Sequence, residues 1–174
     1  MGVSMESIKE LRRLTSASFA ACKDALKEAS GDVQKAVVLL RKRGLEIAVK
    51  KQGEIAREGR VEAYVHMGNK IGVLIEVNCE TDFVARNSDF AQFTRDLAMQ
   101  IAACNPAYIK IEDVPKDVLE QESDKELFAK NNCLLEQPFI KDPGITIKDY
   151  LGSLISKVGE NIVVRRFIRY KIGE

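Results

Sequence analysis

Few side chains in this sequence have the type and spacing to do chemistry. Cys79 and His66, the only histidine, pair a nucleophile with a base in residue type. Nothing supplies the orienting third group or the oxyanion donors such a dyad needs, so a small buried thiol at a strand end and a histidine at a hairpin mouth is the better reading. Glu80 and Asp82 put two carboxylates, the ligand type of Mg²⁺, in one turn, but acids in a turn are more often solvated or capping. Arg165, Arg166, Arg169 and Lys171 interleave with apolar residues, as the solvent side of any sheet does; an RNA-binding strand would need more stacking aromatics. No P-loop is present, and no cysteine pair stands at metal-ligand spacing. What remains is recognition. Asp82 and Phe83 put an acid beside an aromatic in a segment where Gly, Asn, Ser or Pro would turn the chain more easily.

Two elements must hold that segment. Ile71, Val73, Ile75 and Val77 alternate with Gly72, Leu74, Glu76 and Asn78, the period of a strand. From Ser88 the period changes: Phe90, Phe93, Leu97, Ile101 and Cys104 form one stripe of a helix whose N-cap is Asn87 or Ser88. A strand and helix packed on each other make a rigid base, and the short turn between them projects outward.

The run Asn78-Cys79-Glu80-Thr81-Asp82-Phe83-Val84-Ala85-Arg86-Asn87 closely resembles the signature of the elongation factor Ts family, the guanine-nucleotide exchange factors of elongation factor Tu. Gly159-Glu160-Asn161-Ile162-Val163-Val164-Arg165-Arg166 is a second close match, and the similarity extends over most of the chain.

Composition agrees with a small protein free of membrane segments. The chain has 174 residues, 45% hydrophobic and 30% charged, enough for one ordinary domain and a small module. No apolar run approaches the roughly 18 residues of a membrane span, and the N-terminus lacks the apolar core of a secretory signal. A net charge of +1 gives no global pull toward nucleic acid or membrane. Cys22, Cys79, Cys104 and Cys133 are scattered, which suits a reducing cytosol better than a disulfide framework.

In chain order, residues 4 to 44 read as three short helices. Ser4 caps the first, with Met5, Ile8, Leu11 and Thr15 inward; after a break at Thr15-Ser16-Ala17-Ser18 the second turns Phe19, Cys22, Leu26 and Ala29 to one face. Gly31 suits a left-handed helix end and Asp32 caps the third helix, whose stripe is Val33, Ala36, Val37 and Leu40 and which Gly44 ends. Residues 45–59 form a linker that Gly59 closes, followed by a hairpin with Val61, Ala63 and Val65 on one face and a Gly68-Asn69 turn. Pro106 stops the helix after Cys104, and Val114-Pro115 opens another. Residues 121–132 are charged and weakly patterned. Cys133 to Ile140 is apolar enough for an edge strand, Asp142-Pro143-Gly144 turns the chain, and Ile147, Leu151, Leu154, Ile155 and Val158 stripe a helix that Gly159 ends. The last strand, Asn161 to Ile172, places Ile162, Val164, Ile168, Tyr170 and Ile172 on a face with Arg166, and Val163 and Phe167 opposite.

The expected fold class is therefore α+β. A three-helix bundle over 1–44 precedes a helical linker over 45–59 and an α+β core over 60–174, in which a small antiparallel sheet is packed by helices. The resemblance adds that the bundle is of the ubiquitin-associated (UBA-like) type, although Ser16, Ser18 and Phe19-Ala20 depart from the residues the family usually has there. The segment near 121–132 is shorter than in relatives that place additional helices there. Longer relatives carry two related αβ halves in their core, whereas this chain matches only enough for one and so resembles a short form with a single core repeat. The resemblance further implies a cytoplasmic, non-enzymatic exchange factor that needs no cofactor or bound metal and binds elongation factor Tu in its GDP-bound and nucleotide-free states. Thr81, Asp82, Phe83 and Val84 would disturb the partner's Mg²⁺ site, and Arg12, Cys22, Lys23 and Leu26 would make secondary contacts. A homodimer through the apolar C-terminal sheet is expected, with no direct contact to nucleic acid or membrane. The rival classes are a docking scaffold and a ribosome- or RNA-associated protein.

Overall fold

The computed structural model describes residues 3–15 and 17–174. Its elements are α1 (Met5–Thr15), α2 (Phe19–Glu28), α3 (Val33–Lys51), β1 (Glu58–Val65), β2 (Ile71–Cys79), α4 (Asp82–Ala85), α5 (Ser88–Cys104), α6 (Lys116–Gln121), α7 (Lys125–Asn132), β3 (Pro138–Phe139), β4 (Asp142–Thr146), α8 (Ile147–Val158) and β5 (Ile162–Lys171). The α+β class is observed. The chain divides into two compact units: one runs to Glu54 and takes in Asp149–Asn161, and the other holds Ile55–Lys148 with Ile162–Glu174.

In the first unit, α1 to α3 close on Ile8, Leu11, Cys22, Ala25, Leu26, Ala29, Ala36 and Val37. The caps are local. The Ser7 N–H donates to Ser4 Oγ at 3.0 Å, Ala21 N–H to Ser18 Oγ at 3.2 Å, and Lys35 N–H to an Asp32 carboxylate oxygen at 3.0 Å. At the end of α2 the Gly31 N–H reaches back to Leu26 O and Ser30 N–H to Lys27 O, with Ser30 itself left-handed at φ 54°. Gly31 is left-handed as expected, at φ 88°, and Ser30 before it shares that region. Met5 is 57% exposed and does not join the core. Ser16 lies outside the described residues.

Gly44 does not end α3, which continues to Lys51. The reason lies in packing: a Cβ on Gly44 would stand 3.1 Å from the carbonyl oxygen of Gly152 in α8, so the glycine permits a close helix crossing. The first half of the 45–59 stretch is consequently helix.

The second unit is built on an antiparallel sheet of order β1-β2-β5. The hairpin turns at Gly68 (φ 91°) and Asn69 (φ 55°). Val73, Ile75, Val77 and Cys79 of β2 are buried on the side where α5 packs, and α5 buries Phe90, Phe93, Leu97 and Ile101 there; Cys104, at its last turn, is exposed. Gly59, expected to close a linker, lies inside β1 opposite Asn78. Its φ of +145° and the 2.2 Å that would separate a Cβ from Val77 O leave room for no side chain.

Three other expectations fail for identifiable reasons. In β5 the register slips by one residue opposite Glu76 and Val77, which pair with Arg166 and Val164, so Arg165 is an extra residue in a bulge. Ile162 and Val164 therefore share the covered face with Phe167 and Arg169, while Ile168 and Tyr170 turn outward. Residues 133–140 form a 3-10 turn, Leu134–Glu136, and only a two-residue strand. β3 pairs only with β4, and on its other side the Gln100 side chain serves the segment: its NH₂ donates to Pro138 O and Gln137 Oε1, each at 3.1 Å, and its oxygen accepts from Ile140 N–H at 2.9 Å. The chain reverses at Ile140–Lys141, not at Asp142-Pro143-Gly144, which belongs to the edge strand β4. The charged stretch before it contains α7, capped by Asp124 and packed around Val114, Ala129 and Cys133.

Candidate functional site

The segment between β2 and α5 is a capped helical turn. Cys79, fully buried at the end of β2, directs its Sγ to Thr81 O at 3.2 Å. Thr81 is extended, and its hydroxyl accepts from Val84 N–H at 3.4 Å, starting α4. Arg86 N–H closes the turn on Asp82 O, and Asn87 then caps α5 by accepting from Asp89 N–H at 2.8 Å. The backbone between strand and helix is fixed by these local bonds.

The side chains on this turn divide sharply. Val84 is 8% exposed and packs inward, whereas Phe83 beside it is 84% exposed. Leaving an aromatic ring in water forgoes about 1.5–3 kcal/mol of burial, which a docking surface recovers. Thr81 is exposed and Asp82 partly so. The Asp82 carboxylate pairs with the Arg86 guanidinium at 3.1 Å. The sequence reading passed over Arg86, although its four-residue spacing from Asp82 is the signal for such a pair.

The other candidates separate. His66 sits where the hairpin turns, its N–H bonded to Ile71 O, whereas Cys79 ends β2; the strand between them spans about 25 Å. His66 shares a 3.0 Å hydrogen bond with the Tyr64 hydroxyl. Burial raises the thiol pKa of Cys22 and Cys133, keeping them protonated and weakly nucleophilic. Among the described residues no cluster of three or more His, Cys, Asp or Glu side chains forms a metal site, and no helix is long and apolar enough to cross a membrane. Arg166 pairs with Glu76 at 2.7 Å, while Arg169 and Lys171 both pair with Glu174 at 2.8 and 3.0 Å. Two carboxylates thus offset half of the four positive charges that Arg165, Arg166, Arg169 and Lys171 place on β5.

In the bundle, Arg12 and Lys23 are exposed, but Cys22 and Leu26 have no exposed surface. Of the four residues expected to make secondary contacts, Arg12 and Lys23 are displayed at the surface, and Cys22 and Leu26 lie in the core beneath it.

A family model described as Elongation factor TS matches residues 4–128. A protein of Carboxydothermus hydrogenoformans named Elongation factor Ts is 49% identical over 195 aligned positions, covering 99% of this chain and 90% of the relative. One of Caldanaerobacter subterraneus with the same name is also 49% identical, covering 99% and 98%, and one of Moorella thermoacetica is 47% identical, covering 99% and 96%. The alignments exceed the 174 residues here, so these relatives carry residues that this chain lacks.

Proposed function

The chain belongs to the elongation factor Ts family, proteins of translation elongation, and from that premise we propose that it is a guanine-nucleotide exchange factor for elongation factor Tu. It makes and breaks no covalent bond and uses no cofactor; it binds the GDP form, disturbs the Mg²⁺ site and lets GDP leave so that GTP can enter. The observation that carries this reading is Phe83, 84% exposed on a turn that Val84 anchors and Thr81 caps. A cytoplasmic location follows from the role.

The energetics require differential binding. A factor that binds nucleotide-free elongation factor Tu more tightly than its GDP form weakens GDP by the same ratio, because coupling between two ligands is reciprocal. Weakening it 10⁴-fold takes about 5.5 kcal/mol of preferential contact. Phe83 entering a pocket contributes about 1.5–3 kcal/mol, so other surfaces must share the work. Arg12 and Lys23 on the bundle are the proposed second contact.

In this mechanism Phe83 is the wedge beside the partner's Mg²⁺ site. Asp82 makes a polar contact that the GDP and Mg²⁺-bound arrangement does not allow. With Mg²⁺ displaced the phosphates are less neutralised, and GDP departs.

The active form is proposed to be a non-covalent homodimer joined through the sheet. The face of the sheet turned away from α5 carries Val61, Val65, Leu74, Ile168 and Tyr170, between 44 and 68% exposed. A second copy with two-fold symmetry covers such a face most simply.

Release of fluorescent GDP from elongation factor Tu at substoichiometric doses of this chain tests the reading. Turnover of many partner molecules per chain is expected; a docking scaffold or RNA-associated protein would give none, and that result would overturn the proposal.

A further inference from the structure

The charge of the loop poses a problem for a device that expels a divalent cation. From Cys79 to Phe93 the chain carries three acids, Glu80, Asp82 and Asp89, and a single base, Arg86. A carboxylate carried up to Mg²⁺ is a hard oxygen ligand and would hold the ion rather than release it. Asp82 sits next to Phe83, so whatever pocket takes the ring brings the carboxylate close to the same ion.

The structure supplies the countercharge. Arg86 ends the turn that begins at Asp82, and its guanidinium lies 3.1 Å from the Asp82 carboxylate. The Arg86 side chain is 81% exposed and that of Asp82 49%, so the pair faces solvent on the same turn as Phe83. A guanidinium cannot be deprotonated at any working pH and presents a planar donor fork to the carboxylate. It thus occupies acceptor capacity that Mg²⁺ would otherwise claim, and adds a like charge that repels the ion.

We propose that Arg86 is a positioning and charge-compensating residue of the exchange loop, keeping Asp82 from acting as a Mg²⁺ ligand when the loop reaches the partner's metal site. This inference rests on the exchange reading above and extends it to a residue outside the Thr81–Val84 set. Its consequence is a specific Mg²⁺ dependence: without the cation, Asp82 would help retain the ion that the loop must displace.

The test is stimulated GDP release from elongation factor Tu over a Mg²⁺ series. It uses the full chain as wild type, Arg86→Gln, Arg86→Lys, Asp82→Asn, and the Asp82→Asn/Arg86→Gln double variant. Arg86→Gln is expected to lower the Mg²⁺ concentration that halves stimulation by roughly two- to fivefold, the range of an exposed ion pair. Arg86→Lys keeps the charge and should stay near wild type. The double variant should show the Mg²⁺ dependence of Asp82→Asn alone, since Arg86 acts through Asp82. Circular dichroism confirms that each variant is folded. A curve for Arg86→Gln that is only scaled, with the same half-point as wild type, overturns the inference, as does a double variant that keeps the Arg86→Gln shift. Absence of stimulation by the wild type would overturn the exchange reading and this inference together, so the two failures are distinguishable.

Discussion

Phe83 and Val84 are consecutive residues of one helical turn, and the chain assigns them opposite surroundings, 84% exposed and 8% exposed. Anchor and display are thereby joined in two positions. Phe83→Ala should change stability by less than about 0.5 kcal/mol, as exposed sites do. Val84→Ala, which removes buried methyl groups, should cost about 1–2 kcal/mol. Urea denaturation of both variants checks the split, and a larger loss for Phe83→Ala would mean that the ring packs on its own chain.

Gln100 should matter far from any binding surface. Gln100→Leu leaves Ile140 N–H and Pro138 O without the partners they now have, at a cost of about 2–4 kcal/mol. Amide exchange at Ile140 should accelerate at least about tenfold. Unchanged protection there would show that the β3–β4 hairpin does not depend on this side chain.

How much of this was legible in sequence follows from how long each signal ran. β2 and α5 carry unbroken periods over nine and 17 residues, and both are found where those periods place them. The bulge at Arg165 was not legible, because one inserted residue leaves the composition of β5 unchanged while exchanging its faces beyond that point. Gly44 was misread because a glycine that stops a helix and one that admits a crossing helix look alike until α8 is in place. Residues 133–140 were misread because their hydrogen-bond partner is a side chain 37 positions away from Gln137. Asp82 and Phe83 marked the loop as a candidate, and the four-residue spacing of Asp82 and Arg86 carried the signal of their pair; that Val84 anchors the turn needed coordinates.

The bundle variants separate contact from architecture. Arg12→Glu/Lys23→Glu should leave stability within about 0.5 kcal/mol, since both residues are exposed, while weakening association with elongation factor Tu. Leu26→Ala should cost about 2–5 kcal/mol because it opens a cavity in a small core. Calorimetric titration beside thermal unfolding distinguishes them. Wild-type affinity in the charge-reversed protein would remove these two residues from the interface.

The dimer is tested on its apolar face. Ile168→Glu, placed opposite Leu74 on the outward side of the sheet, should give a folded species of 19.4 kDa in analytical ultracentrifugation at micromolar concentration, where the wild type is expected to sediment at twice that mass. A wild-type protein that stays at 19.4 kDa while fully active in exchange would rule the dimer out.

The central claim is that the loop itself drives GDP from the partner, and stopped-flow release of fluorescent GDP from elongation factor Tu at saturating doses of wild type and Phe83→Ala tests it most directly. Saturation removes differences in affinity, so the plateau rate reports displacement alone. The account predicts a plateau for Phe83→Ala lower by at least about tenfold, near the worth of one buried aromatic contact, in a variant that still folds and binds. A Phe83→Ala plateau equal to that of the wild type would contradict it.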